Sequence, residues 1–344
     1  MTVTIKDVAK RLNLSITTVS RALDGYDDVA EETRRKVIQT AREMGYVPNR
    51  AARQLRKQRT ETIGYILPTS APRFSDPFFS EFISGLGDEA AVQGYDLLIS
   101  SAPPGEDPER LVYKRWVHGR RVDGYVLNRM RLRDWRVQFL SQMNAPFVAL
   151  ERTLDPVDYP SVEVDGQAGI RDLMDFLIGK GHQRIAYIGT SPDMAIQADR
   201  YAGYRQSMQD AGLAFEQELV IEADLTRRGG YRAAQKLLSM QDLPTAIVCI
   251  NDLTAIGALQ CAHELGLKTG KDVAIAGFDG IEEAENSLPP LTTLTQPVYE
   301  IARELVKILS AEINGTPLAR RRIQIQPELI LRASTGAVVS RLGS

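Results

Sequence analysis

Apolar positions in the first 45 residues recur at helical spacing. In TIKDVAKRL, Ile5, Val8, Ala9 and Leu12 fall at i, i+3, i+4 and i+7, and Thr4 and Asp7 are spaced as a capping box. Asn13, Leu14 and Ser15 form a tight connection. Ser15 is a good N-cap for a second helix, Ile16 to Leu23, which Gly25 terminates. A third helix is expected over about Glu31 to Met44, burying Val37, Ile38, Ala41 and Met44 and stopping at Gly45. Three helices this short and this close make one mini-domain.

From Thr62 the period changes. Apolar runs (TIGYILP, DLLISSA, VDGYVLN, PFVALE, SVEVD, RIAYIGT, AIVCIND, DVAIAGFD) alternate with amphipathic helical segments, the pattern of parallel strands covered on both faces. There are too many strands for one sheet of common size, so two lobes are expected. ERTLDPVDYPSVEVD, with two prolines, reads as the crossing between them. LPPLTTLTQP and the helix YEIARELVKILSAEI after it read as the return to the first lobe. A double-lobed α/β domain with a cleft follows.

Charge sharpens this division. Residues 1–60 carry 13 Lys or Arg against 7 Asp or Glu, whereas residues 61–344 carry 29 against 37. A basic head on an acidic body suits a protein that holds a polyanion at one end and repels it elsewhere. The 344 residues, 43% apolar and 25% charged, allow two or three domains and exclude disorder. No stretch approaches the ~18 apolar residues of a membrane span, and no signal-type apolar segment opens the chain, so a cytoplasmic protein is expected. Cys249 and Cys261 sit in apolar segments and read as inert packing.

On the second helix, Val19, Ala22 and Leu23 face inward, which leaves Thr17, Ser20, Arg21 and Asp24 on the outer face. Hydroxyls and an arginine on the exposed face of the second of two short helices suit a helix-turn-helix, with Arg21 reaching a guanine edge. The string TIKDVAKRLNLSITTVSRALDG, followed by VAEETRRKVIQTAREMGYVPNRAARQL, resembles the headpiece of the LacI/GalR bacterial repressors. The resemblance continues through SDPFFSEFISGL, GHQRIAYIG, DRYAGYRQSM, NDLTAIGAL and LPPLTTLTQP, and so covers nearly the whole chain. It implies that Ile16, Thr17 and Arg21 read bases and that Ser15, Thr18 and Ser20 contact phosphate. Asp24 and Asp28 depart from the family's neutral or weakly basic residues, and no DNA contact is carried over to either.

The implied fold is an all-α helix-turn-helix headpiece followed by an α/β domain of two doubly wound parallel-sheet lobes, the type I periplasmic-binding-protein-like architecture. The expected boundaries are 1–48 for the headpiece, 49–60 for a hinge helix or linker, and 61–344 for the effector-binding and dimerisation domain. Its N-lobe would take about 61–160 plus 291–325, and its C-lobe about 161–290 plus 326–344. In the basic segment NRAARQLRKQRT, Ala51, Ala52 and Leu55 form a narrow apolar stripe. The resemblance makes the segment a hinge helix that contacts DNA through Asn49, Ala52 and Leu55, with the leucine wedged into the minor groove.

Ligands of open α/β sheets bind beyond the carboxyl ends of the strands, and here those ends are polar: Asn128, Glu151, Asp224, Asn251, Asp252 and Asp279. Carboxylates and amides accept hydroxyl hydrogens, as a polyol demands. The resemblance adds Arg200 and Gln296, with Phe78 or Phe79 as an aromatic wall, and it places Leu225 where some sugar-binding relatives have an aromatic ring. No phosphate loop, His-Glu-x-x-His or paired Cys-x-x-Cys is present. Neither catalysis, a cofactor nor a metal is expected. The expected function is an operator-binding repressor, a homodimer on a near-palindrome, whose DNA affinity is set by a small effector, a mono- or disaccharide. A solute receptor or a sugar-active enzyme of similar fold is the alternative, and neither explains residues 1–60.

Overall fold

The computed structural model describes residues 3–47, 59–67, 76–103 and 105–336. The chain divides into two compact units, Met1–Thr60 and Glu61–Ser344.

The first unit holds α1 (Ile5–Leu12), α2 (Ile16–Leu23) and α3 (Glu31–Glu43). The Asp7 carboxylate accepts from Thr4 N at 2.9 Å and from Thr4 Oγ1 at 2.7 Å, tying down the start of α1. Ser15 Oγ accepts from Thr18 N at 3.0 Å and caps α2, while Asn13, in the left-handed region at φ 53°, ends α1. Val8, Ala9, Val19, Ala22, Val29, Val37 and Ala41 form the core. Each fully buried valine stabilises so small a unit by roughly 1.5–3 kcal/mol. Ile38 and Met44 are only half-buried, because two eight-residue helices cover one stripe of α3 and leave its flanks open.

The second unit contains two sheets. The first runs β11 (Arg322–Ile325), β5 (Ser161–Val164), β4 (Phe147–Leu150), β3 (Gly124–Leu127), β1 (Thr62–Leu67), β2 (Asp96–Ser101), with every pair parallel. The second runs β12 (Glu328–Ile330), β10 (Thr292–Thr295), β9 (Ala274–Asp279), β8 (Ala246–Cys249), β6 (Ile185–Gly189), β7 (Val220–Glu222), where only β12 is antiparallel. Helices cover the sheets: α4 (Pro77–Val92), α5 (Glu106–His118), α6 (Trp135–Gln142) and α12 (Val298–Asn314) belong to the first lobe. α7 (Gly166–Gly179), α8 (Ala195–Asp210), α9 (Arg227–Leu237), α10 (Asp252–Glu264) and the short α11 (Glu282–Asn286) belong to the second.

Two lobe assignments differ from the sequence expectation. β5 pairs with β4 and β11 and therefore lies in the first lobe, not at the start of the second. The preceding stretch is no crossing. It closes on itself, with Thr153 N donating to Tyr159 Oη at 2.8 Å and Arg152 stacked over the Tyr159 ring, and the chain leaves the first lobe only after Val164. β10, expected in the first lobe, pairs with β9 in the second. Thr292 and Thr293 are fully buried, and Thr293 Oγ1 donates to Asp252 Oδ1 at 2.6 Å. The return to the first lobe comes at Pro297, after which α12 packs on α4 and Arg303 pairs with buried Glu89 at 3.0 Å. β11 and β12 have no counterpart among the expected strands. Both are short, and both lie at an edge.

Candidate functional site

On α2, Ile16 is 45% exposed and Thr17 is exposed, while Thr18, Ser20 and Arg21 are half-buried. The Ser15 hydroxyl is already engaged, accepting from Thr18 N and sharing a 2.8 Å hydrogen bond with Thr18 Oγ1. Arg21 is held on two sides. Its Nε donates to Asp28 Oδ1 at 3.1 Å, its Nη2 lies 2.5 Å from Asp28 Oδ2, and its guanidinium sits 4.7 Å above the Tyr26 ring. Asp28, the acid that departs from the family pattern, thus orients the arginine expected to read a base. Asn49, Ala52 and Leu55 lie outside the described residues.

In the second unit the carboxyl ends of both sheets converge on one cavity. Phe78, Asn128, Glu151, Arg200, Leu225, Asn251, Asp279 and Gln296 line it, together with Asp76, Arg129, Leu150 and Ile196. Phe79 does not. It is 2% exposed and faces the core, with the Arg129 guanidinium 4.8 Å over its ring, so among the described residues Phe78 is the aromatic side chain that lines the cavity. Asp252 is also absent from the lining. It is buried beneath, accepting from Gly280 N and Ile281 N at 2.8 and 3.0 Å.

The backbone is bent to present these groups. Arg129, Glu151, Leu225 and Asp279 have φ of 49°, 78°, 63° and 122°. Four non-glycine residues in this sparsely populated region, all around one cavity, mark a site whose geometry the fold enforces at a cost of about 1–3 kcal/mol each. Arg136 supports the first-lobe side. Fully buried, it donates to Asp134 Oδ2 at 2.6 Å and to the carbonyls of Asn128 and Arg129 at 3.2 and 3.1 Å, fixing the loop after β3.

Within the cavity the polar groups pair with one another. Arg129 lies 3.2 Å from Asp76, and Arg200 lies 3.7 Å from Asp279, donates to the Ile250 carbonyl and stacks 3.5 Å from the Phe278 ring. Gln296 Nε2 donates to Asp279 Oδ1 at 2.8 Å. Asn251 has two roles: its Oδ1 caps α10 through Thr254 N at 3.0 Å, and its Nδ2 donates to the Leu225 carbonyl at 3.2 Å. Among the described residues, Asn128 Nδ2 and Arg129 Nη1 are buried without a partner. Unsatisfied buried donors are rare and call for a ligand or water. The cavity volume open to a water-sized molecule is about 50 Å³, room for one or two waters, so these pairs must part before a larger molecule enters.

Burial raises the cleft acids, and Arg200 opposes it: Glu151 is pushed up to about 8 and Asp279 to about 7. Near neutral pH Glu151 is therefore a donor as well as an acceptor. Its carboxyl keeps a proton in the folded state to about pH 8 but loses it near 4.5 when unfolded. The folded state binds more protons across that window, so stability present below it is lost as pH rises through it. Glu151→Gln removes this titration and retains the shape. The expected result is an unchanged melting temperature at pH 5 and one a few degrees above wild type at pH 8; equal shifts at both would exclude this origin.

The lobes also meet through main chain. Ala195 N donates to the Met130 carbonyl at 2.9 Å and Leu132 N to the Asp193 carbonyl at 2.7 Å, flanking an antiparallel bridge between Arg131 and Met194. Sequence reasoning missed this bridge, as it missed Asp76 and Arg129. Of these, only Arg129 carried a signal, as the residue after Asn128 at a strand end.

A family model described as bacterial regulatory proteins, lacI family, matches residues 4–49, and one for a periplasmic-binding-protein-like domain matches residues 174–335. The HTH-type transcriptional regulator AglR of Rhizobium meliloti (strain 1021) is 34% identical over 345 residues, spanning 99% of this chain and 96% of the relative. Among solved structures, a complex of the transcriptional regulator CelR with cellobiose superposes with a TM-score of 0.74 at 30% identity, covering 96% of this chain and 99% of that one. A lac repressor dimer bound to operator and the anti-inducer ONPF gives 0.83 at 26% identity, covering 98% and 100%.

Proposed function

Starting from the fact that the chain belongs to the LacI family of bacterial regulatory proteins, and so is a DNA-binding transcription regulator controlled by a ligand, we propose that its effector is a neutral sugar held between the two lobes. The observation that carries this is the chemistry of the cavity. Asn128, Arg129, Glu151, Arg200, Asn251, Asp279 and Gln296 offer donors and acceptors in near balance, with Phe78 as an apolar wall. A ring of hydroxyls engages both kinds of group at once, exchanging the internal pairs for its own. An anionic ligand would find both arginines of the cavity already facing carboxylates, Arg129 at Asp76 and Arg200 at Asp279.

In this reading Ser15, Thr18 and Ser20 hold phosphate, while Ile16, Thr17 and Arg21 read bases. Asn49, Ala52 and Leu55 complete the DNA contacts from a hinge spanning 49–60, between a headpiece of 1–48 and an effector-binding domain of 61–344. Two copies form a homodimer on a near-palindrome, since one eight-residue recognition helix reads too few base pairs for useful selectivity. Effector and DNA then bias one another by a coupling free energy of ~1–3 kcal/mol in either direction.

A thermal-shift screen of mono- and disaccharides against nucleobases, repeated with operator fragments selected from random DNA, tests the reading. The expected outcome is stabilisation by at least one sugar and by no nucleobase, with operator affinity changed by that sugar. A nucleobase that stabilises where no sugar does would replace the proposed effector class. A sugar that shifts melting and leaves DNA affinity untouched would remove the coupling.

A further inference from the structure

The cleft continues past its inner cavity. Leu225 lines both that cavity and a larger one, of about 720 Å³, which opens among the loop after β6, β7 and the loop after it, one face of α9 and Arg131 of the other lobe. Size separates the two. The inner cavity has room for a water or two, whereas the outer one already falls within the ~300–1,000 Å³ of small-molecule sites.

Charge indicates what the outer cavity suits. Arg131, Arg232 and Lys236 face Asp193, Glu222 and Asp224, three cations against three carboxylates. A phosphate would meet as many repelling groups as attracting ones, and so would an amine. Neutral hydroxyls are served by both, donating to the carboxylates and accepting from the cations. Three of the six are held by contacts of their own: Arg232 lies 3.2 Å from Asp224, and Arg131 is anchored to buried Glu109 at 3.0 Å, with its Nη1 buried and unpartnered among the described residues. Ile221 and Ala223 add an apolar surface for the C–H face of a sugar ring. The bridge between Arg131 and Met194 lies at the same place, so a molecule bound there touches both lobes.

We propose that the outer cavity is a second sugar subsite: the effector is a neutral disaccharide or longer glycoside, one unit in the inner cavity, the linkage passing Leu225, the next unit among the six charged groups. This rests on the sugar reading above. It goes further in setting a minimum ligand length and in making the outer cavity the determinant of selectivity.

The test is titration calorimetry of the full chain with maltose, cellobiose, trehalose and sucrose, and with glucose and fructose separately. At least one disaccharide should bind at least about tenfold more tightly than either of its own units. Glu222→Ala, at an exposed position, and Ala223→Trp, which fills the cavity, should each bring that ratio below about threefold while monosaccharide affinity stays as in wild type. A monosaccharide bound as tightly as every disaccharide containing it would overturn the second subsite and leave the sugar reading standing. So would variants that leave the ratio intact. A nucleobase bound in place of every sugar would remove the reading beneath it.

Discussion

Arg200→Met is expected to leave operator binding intact and to abolish the response to effector, with a loss of ligand affinity of about 100-fold or more. The arginine makes three kinds of contact at once: it stacks on Phe278, donates to the Ile250 carbonyl and faces Asp279. Removing one partner of a buried pair ordinarily costs ~3–5 kcal/mol, because the other charge is stranded. Here the cost to folding is softened, since Asp279 already titrates at about 7 and takes up a proton when the guanidinium leaves. Methionine also keeps most of the packing on Phe278. The loss therefore falls on the bound state, where hydroxyls no longer find the guanidinium. Calorimetry with the best sugar, beside operator binding by fluorescence anisotropy, checks this. Ligand affinity within about threefold of wild type would exclude Arg200 from the site.

Arg21→Ala should weaken the selected operator by about 1–3 kcal/mol, roughly 5- to 150-fold, and relax preference at one base position. Loss on random DNA should be no more than that of a single phosphate contact, seen as a drop of about one in the salt slope. The paired variant, Asp28→Asn, separates orientation from charge. Removing the carboxylate takes a repulsive charge from the DNA face, so affinity for random DNA should rise. It also frees Arg21 from its two-sided hold, so the ratio of operator to random binding should fall. A ratio unchanged in Asp28→Asn would make the pair an ordinary surface contact, of the kind worth less than about 1 kcal/mol. Equal losses on both DNAs in Arg21→Ala would make that residue a phosphate contact.

Local chemistry made much of this legible in the sequence. Thr4, Asp7 and Ser15 announce helix starts because a side chain must satisfy orphan amides there, and apolar runs such as AIVC announce strands buried on both faces. Polar residues at strand ends led to Asn128, Glu151, Asn251 and Asp279, which the fold brings to one cavity. Sheet membership was not legible. Nothing in SVEV or TTLT says which lobe will pair with it, and the flanking prolines suggested linkers where the chain forms an internal loop and a buried strand. Asp76 was hidden by its capping role, accepting from Phe78 N at 3.1 Å, and Phe79 by its likeness to the neighbouring ring. The bridge between Arg131 and Met194 is made by main-chain atoms, so no residue type signals it.

The path of the chain between the lobes has a consequence for synthesis on the ribosome. The headpiece core is assembled from contacts within its first 45 or so residues and can form as soon as those emerge. The first sheet is different: β5 lacks its outer neighbour until Arg322–Ile325 is made, and α12 reaches α4 only after the second sheet has received β10. A nascent chain of 290 residues thus carries a finished DNA-reading head on an effector domain with an open strand edge. An exposed edge is a template for pairing with other chains. Both sheets keep an open edge until residues 292–330 have supplied β10 and β12 to one and β11 to the other, so the effector domain closes late while the head is complete early.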